Sequence, residues 1–116
     1  MNNGLYFDLQ AKSRQLDASV KQLRKSGTDY AEAEKQYKIL LRSECLRLRD
    51  EGMAIGMITM TAYGIPSVAE ARFKRDLCEC VYKANLEAIQ SVKLQMRLIE
   101  SQLQREWSVA GEQVNY

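Results

Sequence analysis

Histidine is missing from this chain, and the residue patterns that usually form an active site are not found either. Without histidine the chain lacks the commonest general base and the commonest ligand for transition metals. The acidic pairs Asp50–Glu51 and Glu32–Glu34 are one and two residues apart, so their carboxylates do not share a helix face and are poorly placed for acid–base chemistry. None of the glycines is followed by the Lys-Ser/Thr continuation of a phosphate-binding loop. We therefore expect no enzymatic activity.

Cysteine is scarce, with only Cys45, Cys78 and Cys80. Side chains two residues apart on a helix point about 200° apart, so Cys78 and Cys80 cannot bind one ion together. An odd number of cysteines is also unsuited to a disulfide framework. We interpret all three as thiols in a reducing compartment and expect neither a metal nor a cofactor.

A long hydrophobic run is also absent. The most apolar window, residues 53–65, is about a dozen residues long and contains two glycines, whereas a membrane helix needs about 20 apolar residues. The first residues, Met-Asn-Asn-Gly, lack the basic and apolar regions of a signal peptide. We expect a cytoplasmic protein without a membrane partner. The net charge of +2 argues against a dedicated polyanion binder.

Helical periodicity is the main feature that is present, and 116 residues suit a single domain, residues 1–116. Ser26-Gly27-Thr28 can end one helix and cap the next, and Ser67 with Glu70 fits a capping box. The pattern predicts an all-α fold, a small helical bundle with an antiparallel helix pair, a short connector helix and one long C-terminal helix. The predicted elements are helix 1 (5–25), helix 2 (29–51), the connector helix (56–63), helix 3 (67–107) and a flexible tail (108–116).

Helix 3 carries a coiled-coil seam, in which apolar residues recur at alternating spacings of three and four. This set, called the seam below, comprises Tyr82, Asn85, Ile89, Val92, Met96, Ile99 and Leu103. Asn85 either pairs with another polar group and so fixes the register of the helices, or faces the solvated end of the bundle. A second stripe beside the seam comprises Phe73, Leu77, Val81, Ala84 and Ala88. Two stripes need two neighbours, so the seam requires either a back-folded helix 1 or another subunit. We expect a homo-oligomer, namely a dimer.

Two further regions are candidates for binding. Residues 53–66 contain no charged side chain, and methionines make adaptable contact surfaces, so this segment is either a core plug or a binding surface. The candidate partner-binding residues are Met53, Met57, Met60 and Tyr63. Basic side chains early in helix 3 form either a solvated face or a set of phosphate contacts. The candidate phosphate contacts are Arg72, Arg75 and Lys83.

Several segments of the sequence between residues 30 and 107 resemble the sequences of small helical proteins encoded by phages and prophages of Gram-positive bacteria. They are Tyr-Ala-Glu-Ala-Glu-Lys-Gln-Tyr-Lys (30–38), Leu-Arg-Asp-Glu-Gly-Met (48–53), Val-Ala-Glu-Ala-Arg-Phe-Lys-Arg-Asp (68–76), Val-Lys-Leu-Gln-Met-Arg (92–97) and Gln-Arg-Glu-Trp (104–107). The resemblance implies a phage origin and action in the host cytoplasm, and it carries no established activity. Residues 57–62 depart from that pattern, through tailoring to a partner or through drift.

Three functions fit these expectations. The first is a phage-encoded accessory protein that acts by protein–protein binding and inhibits a host enzyme or an antiviral immune effector. The second is an oligomeric nucleic-acid or nucleotide-binding protein, either a replication or recombination accessory or a sponge for a signalling nucleotide. The third is a virion assembly component. The expected partners are a second copy of the chain, a host or phage protein, and in the second case a nucleic acid or nucleotide.

Overall fold

The computed structural model describes the backbone of residues 3–114 and the side chains of residues 4–110, and all its regular elements are α-helices. Helix α1 spans Asn3–Asp50, α2 spans Ile55–Tyr63 and α3 spans Pro66–Val114. The prediction of an all-α bundle is confirmed, and α3, the long C-terminal helix, packs against α1. The contacts divide the chain into two compact units. The terminal unit contains the described residues up to Leu23 and from Ala84 onward, and the central unit contains Arg24–Lys83.

The predicted break at Ser26-Gly27-Thr28 is wrong, because α1 is one helix of 48 residues. Ser26 is buried and Gly27 packs against the ring of Tyr82, at 3.4 Å from the position of an added Cβ. The Thr28 hydroxyl donates to the carbonyl of Arg24 at 3.0 Å, the bond of a helix-interior threonine rather than of an N-cap. The buried and half-buried positions run on at spacings of three and four through Leu23, Ser26, Tyr30 and Ala33. This packing outweighs the weak helix propensity of Gly27, which costs about 1 kcal/mol relative to alanine.

Predicted helices 1 and 2 therefore cannot form an antiparallel pair, and α3 supplies the antiparallel neighbour in each unit. In the central unit the Tyr30 hydroxyl donates to the Glu79 carboxylate at 3.3 Å, and Tyr37 lies 4.5 Å from the Arg75 guanidinium. In the terminal unit the Asn85 amide donates to the carbonyl of Gln22 at 3.4 Å. Residue numbers thus rise along one helix as they fall along the other.

The turn between α1 and α2 is fixed by Gly52. Its φ of 88° lies in the left-handed region, which costs glycine little. The amide of Met53 donates to the carbonyl of Leu48 and that of Gly52 to the carbonyl of Arg49, so the helix ends in a Schellman motif. Leu48 then packs with Ile58 and Ala62 of α2 in a buried cluster. The turn and the cluster together hold α2 against the end of α1.

Both ends of α3 differ from the prediction. The helix begins at Pro66 rather than after a Ser67 cap, and the amide of Ala69 donates to the carbonyl of Ile65 at 2.9 Å. Proline suits the first helical position because the backbone N–H that it lacks would have no acceptor within the helix there. The predicted flexible tail is helical as far as Val114, and residues 115–116 lie outside the described range. Once a helix is nucleated each further residue adds a hydrogen bond, and residues 108–114 contain no proline to stop it.

Candidate protein-binding surface

The outer face of α2 is an exposed apolar surface of the central unit. Ile58 and Ala62 are buried against Leu48, which turns the other side of this nine-residue helix outward. The exposed apolar side chains are those of Met60 (76% exposed), Met57 (56%) and Tyr63 (41%) on that side, and of Ile55 (88%) at the first position of the helix. No charged residue occurs between Met53 and Pro66, so the face lacks the charges that keep ordinary surfaces solvated. We call these four residues the α2 face.

Arg72 is a charged neighbour of the α2 face. The guanidinium of Arg72, on the second turn of α3, lies 5.2 Å from the centre of the Tyr63 ring, within the range of a cation–π contact. This contact places a positive charge at one edge of the apolar surface. The α2 face is therefore an apolar patch with a cationic rim at Tyr63.

The structure brings together three of the four predicted partner-binding residues and separates the fourth. Met57, Met60 and Tyr63 share the outer face, whereas Met53 is half-buried and packs against the Leu48 cluster. Ile55 was missed by sequence reasoning, although it is the most exposed of the four. The helical wheel would not have found it, because at 100° per residue Ile55 lies only about 20° from the buried Ala62 and 60° from the buried Ile58. Ile55 is exposed at the first position of α2.

The seam is covered within the chain. Ile89 and Val92 are buried, and Asn85, Met96, Ile99 and Leu103 are half-buried, on the side of α3 that faces α1 in the terminal unit. Tyr82 packs against Tyr30 in the central unit, with ring centres 6.0 Å apart. The sequence allowed two neighbours for the seam, a helix of the same chain or another subunit. In the structure α1 of the same chain lies against the seam. Asn85 bonds to backbone, so it needs no polar side chain from another subunit.

The predicted phosphate contacts are all engaged by neighbouring side chains. Arg72 stacks on Tyr63, and both Nε and Nη2 of Arg75 bond to the Asp76 carboxylate at 2.9 and 2.7 Å. Lys83 pairs with Glu79 at 2.7 Å, and this hydrogen bond raises the pKa of Lys83 and lowers the pKa of Glu79. A phosphate would have to displace these carboxylates from Arg75 and Lys83. The arrangement is that of a solvated face with local ion pairs.

An apolar groove in the terminal unit is another exposed feature of this kind. It has a volume of about 660 Å³ and is open along its length. Its lining comprises Tyr6, Glu100, Leu103, Gln104, Trp107 and Ser108. Glu100, Gln104 and Ser108 contribute polar groups to this lining.

No arrangement typical of a metal centre or a membrane span is found in the described part of the chain. Residues 4–110 hold no group of three cysteine, aspartate or glutamate side chains that could share a metal ion. None of the three described helices is sufficiently long and apolar to cross a membrane. The chain matches none of the family models, curated proteins or solved structures with which it was compared.

Proposed function

We propose that this chain is a non-enzymatic accessory protein that acts by binding another protein through the α2 face. The observation that carries the proposal is the α2 face itself, four exposed apolar side chains in a 14-residue segment without charge. Exposed apolar patches of this kind are typical of interaction surfaces. The resemblance to phage and prophage proteins adds the second half of the proposal, that the bound protein is a host enzyme or an antiviral immune effector, which this chain inhibits.

The chemistry of the α2 face indicates which partner surface fits. Ile55, Met57 and Met60 offer flexible and branched apolar groups, and methionine adapts its shape to irregular pockets. The matching surface is an apolar groove wide enough for one short helix, with an acidic or carbonyl group at the rim near Arg72. Because α2 is fastened by the Gly52 turn and the Leu48 cluster, the face is presented with little ordering cost on binding.

Substitution of Ile55 by aspartate tests the proposal. A charge within an apolar interface has the effect of a lost hot spot, at least about 2 kcal/mol or roughly a 30-fold rise in Kd. The bound protein is first captured from lysate of the organism that carries the gene, and its Kd for each purified variant is then measured by calorimetry.

Ile39→Asp is the matched control, because Ile39 is also an exposed isoleucine of the central unit (57%) but lies on α1. We expect Ile39→Asp to bind as the unsubstituted chain does, and both variants to keep their helical circular dichroism. Equal binding by Ile55→Asp and the unsubstituted chain would exclude the α2 face from the interaction.

A further inference from the structure

The four methionines whose side chains the structure describes fall into two exposure classes. Met60 is 76% exposed and Met57 is 56% exposed, and both belong to the α2 face. Met53 packs against the Leu48 cluster, and Met96 is half-buried in the seam. An oxidant dissolved in water therefore reaches the thioethers of the α2 face before it reaches those that pack inside the fold.

Met57 and Met60 project from the same side of α2. They are three residues apart, which sets their side chains about 60° apart around the helix. Met60 lies about 180° from the midpoint between the buried Ile58 and Ala62, so it projects directly away from the packed side. The cluster that holds α2 against α1 includes neither Met57 nor Met60. A chemical change at these two side chains therefore leaves the attachment of α2 in place.

We propose that the α2 face is a redox-sensitive surface, on which oxidation of Met57 and Met60 by a peroxide releases the bound protein while the fold stays intact. The inference rests on the proposed function, because it concerns the regulation of the same face. In the reaction a sulfur lone pair attacks one oxygen of hydrogen peroxide, the O–O bond breaks, an S–O bond forms and the other oxygen leaves as water. The sulfur loses two electrons to the peroxide.

The sulfoxide product is unsuited to an apolar interface. Oxidation turns a flexible apolar side chain into a polar one, and its oxygen has to be buried without a hydrogen-bond donor when an apolar groove closes over it. We expect this change at both positions to raise the Kd of the bound protein by about tenfold or more. Reductases that act on each sulfoxide epimer restore the thioether, so the change is reversible.

Peptide mass spectrometry of the full chain after treatment with hydrogen peroxide tests the selectivity. We expect Met57 and Met60 to become sulfoxides while most of Met53 and Met96 stays unoxidised, and the helical circular dichroism to stay unchanged. Equal rates of oxidation at the four positions would overturn the proposal. Loss of helical structure as Met57 and Met60 are oxidised would overturn it as well.

Calorimetry with the protein captured as described above tests the release. The chain alone is treated with hydrogen peroxide, which is removed before the captured protein is added. A variant with Met57→Leu and Met60→Leu keeps an apolar face of similar volume but has no thioether there. It should keep its Kd after peroxide, whereas the unsubstituted chain and the matched control Met96→Leu should lose affinity and recover it with the reductases. Because both variants retain all three cysteines, this comparison separates methionine oxidation from thiol oxidation.

The outcomes distinguish this inference from the proposed function. If Ile55→Asp weakens binding but peroxide leaves the Kd unchanged, the α2 face binds the captured protein and the redox sensitivity is wrong. The same holds if peroxide weakens binding equally in the double leucine variant and the unsubstituted chain. If neither Ile55→Asp nor peroxide changes the Kd, the proposed function fails and this inference fails with it.

Discussion

Replacing Ile89 with aspartate is expected to unfold the terminal unit. Ile89 is 6% exposed in the seam, where it packs against α1 beside the equally buried Val92. Truncating such a side chain to alanine costs about 2–5 kcal/mol, and an unpaired buried charge adds a penalty of several kcal/mol more. Since small proteins are stable by only about 5–15 kcal/mol, this loss removes most or all of the folding free energy. Urea unfolding followed by circular dichroism measures it.

Leu94→Asp provides the control, because Leu94 lies five residues further along the same helix but is more than half exposed. Substitutions at such sites usually change stability by about 0.5 kcal/mol or less. A midpoint for Ile89→Asp equal to that of Leu94→Asp would mean that the seam is not packed against α1.

Gly27→Pro is expected to break α1 and destabilise the central unit by about 3 kcal/mol or more. In a helix interior proline removes one hydrogen bond and its ring clashes with the preceding turn. Gly27→Ala should have the opposite effect, a gain of up to about 1 kcal/mol, because alanine is the better helix former. The added Cβ would lie 3.4 Å from the Tyr82 ring, an ordinary contact distance.

Thermal and urea unfolding of both Gly27 variants distinguish a continuous helix from the loop suggested by the local sequence. In a loop, proline would be tolerated and alanine would bring no gain in helix propensity. Equal stability of Gly27→Pro and the unsubstituted chain would therefore contradict a continuous α1.

The helical class and the seam could be predicted because they depend on periodicity, which packing reinforces. The seam positions from Tyr82 to Leu103 recur at spacings of three and four, and all are buried or half-buried in the fold. The break at Ser26-Gly27-Thr28 was predicted from local turn chemistry. The same spacing of three and four runs through Leu23, Ser26, Tyr30 and Ala33, but serine and alanine are only weakly apolar or polar, so the hydrophobic periodicity is weak there. Contact with Tyr82 decides the outcome there, and residues 55 positions away in sequence give no local signal.

The exposed apolar surfaces were only partly predictable for a related reason. The sequence shows two apolar stripes on α3, but their composition does not say which one α1 covers. Covering the seam leaves Phe73, Leu77 and Val81 exposed. In the connector, the absence of charge indicated the segment that carries the α2 face, while the division between a buried Ile58 and an exposed Ile55 depends on how α2 packs on Leu48.

The central claim is that the α2 face is where this chain binds its protein partner, and site-specific photo-crosslinking tests it most directly. A photoreactive phenylalanine analogue is placed at Met60 or, as the control, at Ile39, and each variant is irradiated in cells that carry the gene. We predict one dominant crosslinked protein from position 60, little of it from position 39, and its loss when Ile55→Asp is added. The same yield of that protein from both positions, or a yield that Ile55→Asp leaves unchanged, would contradict the account.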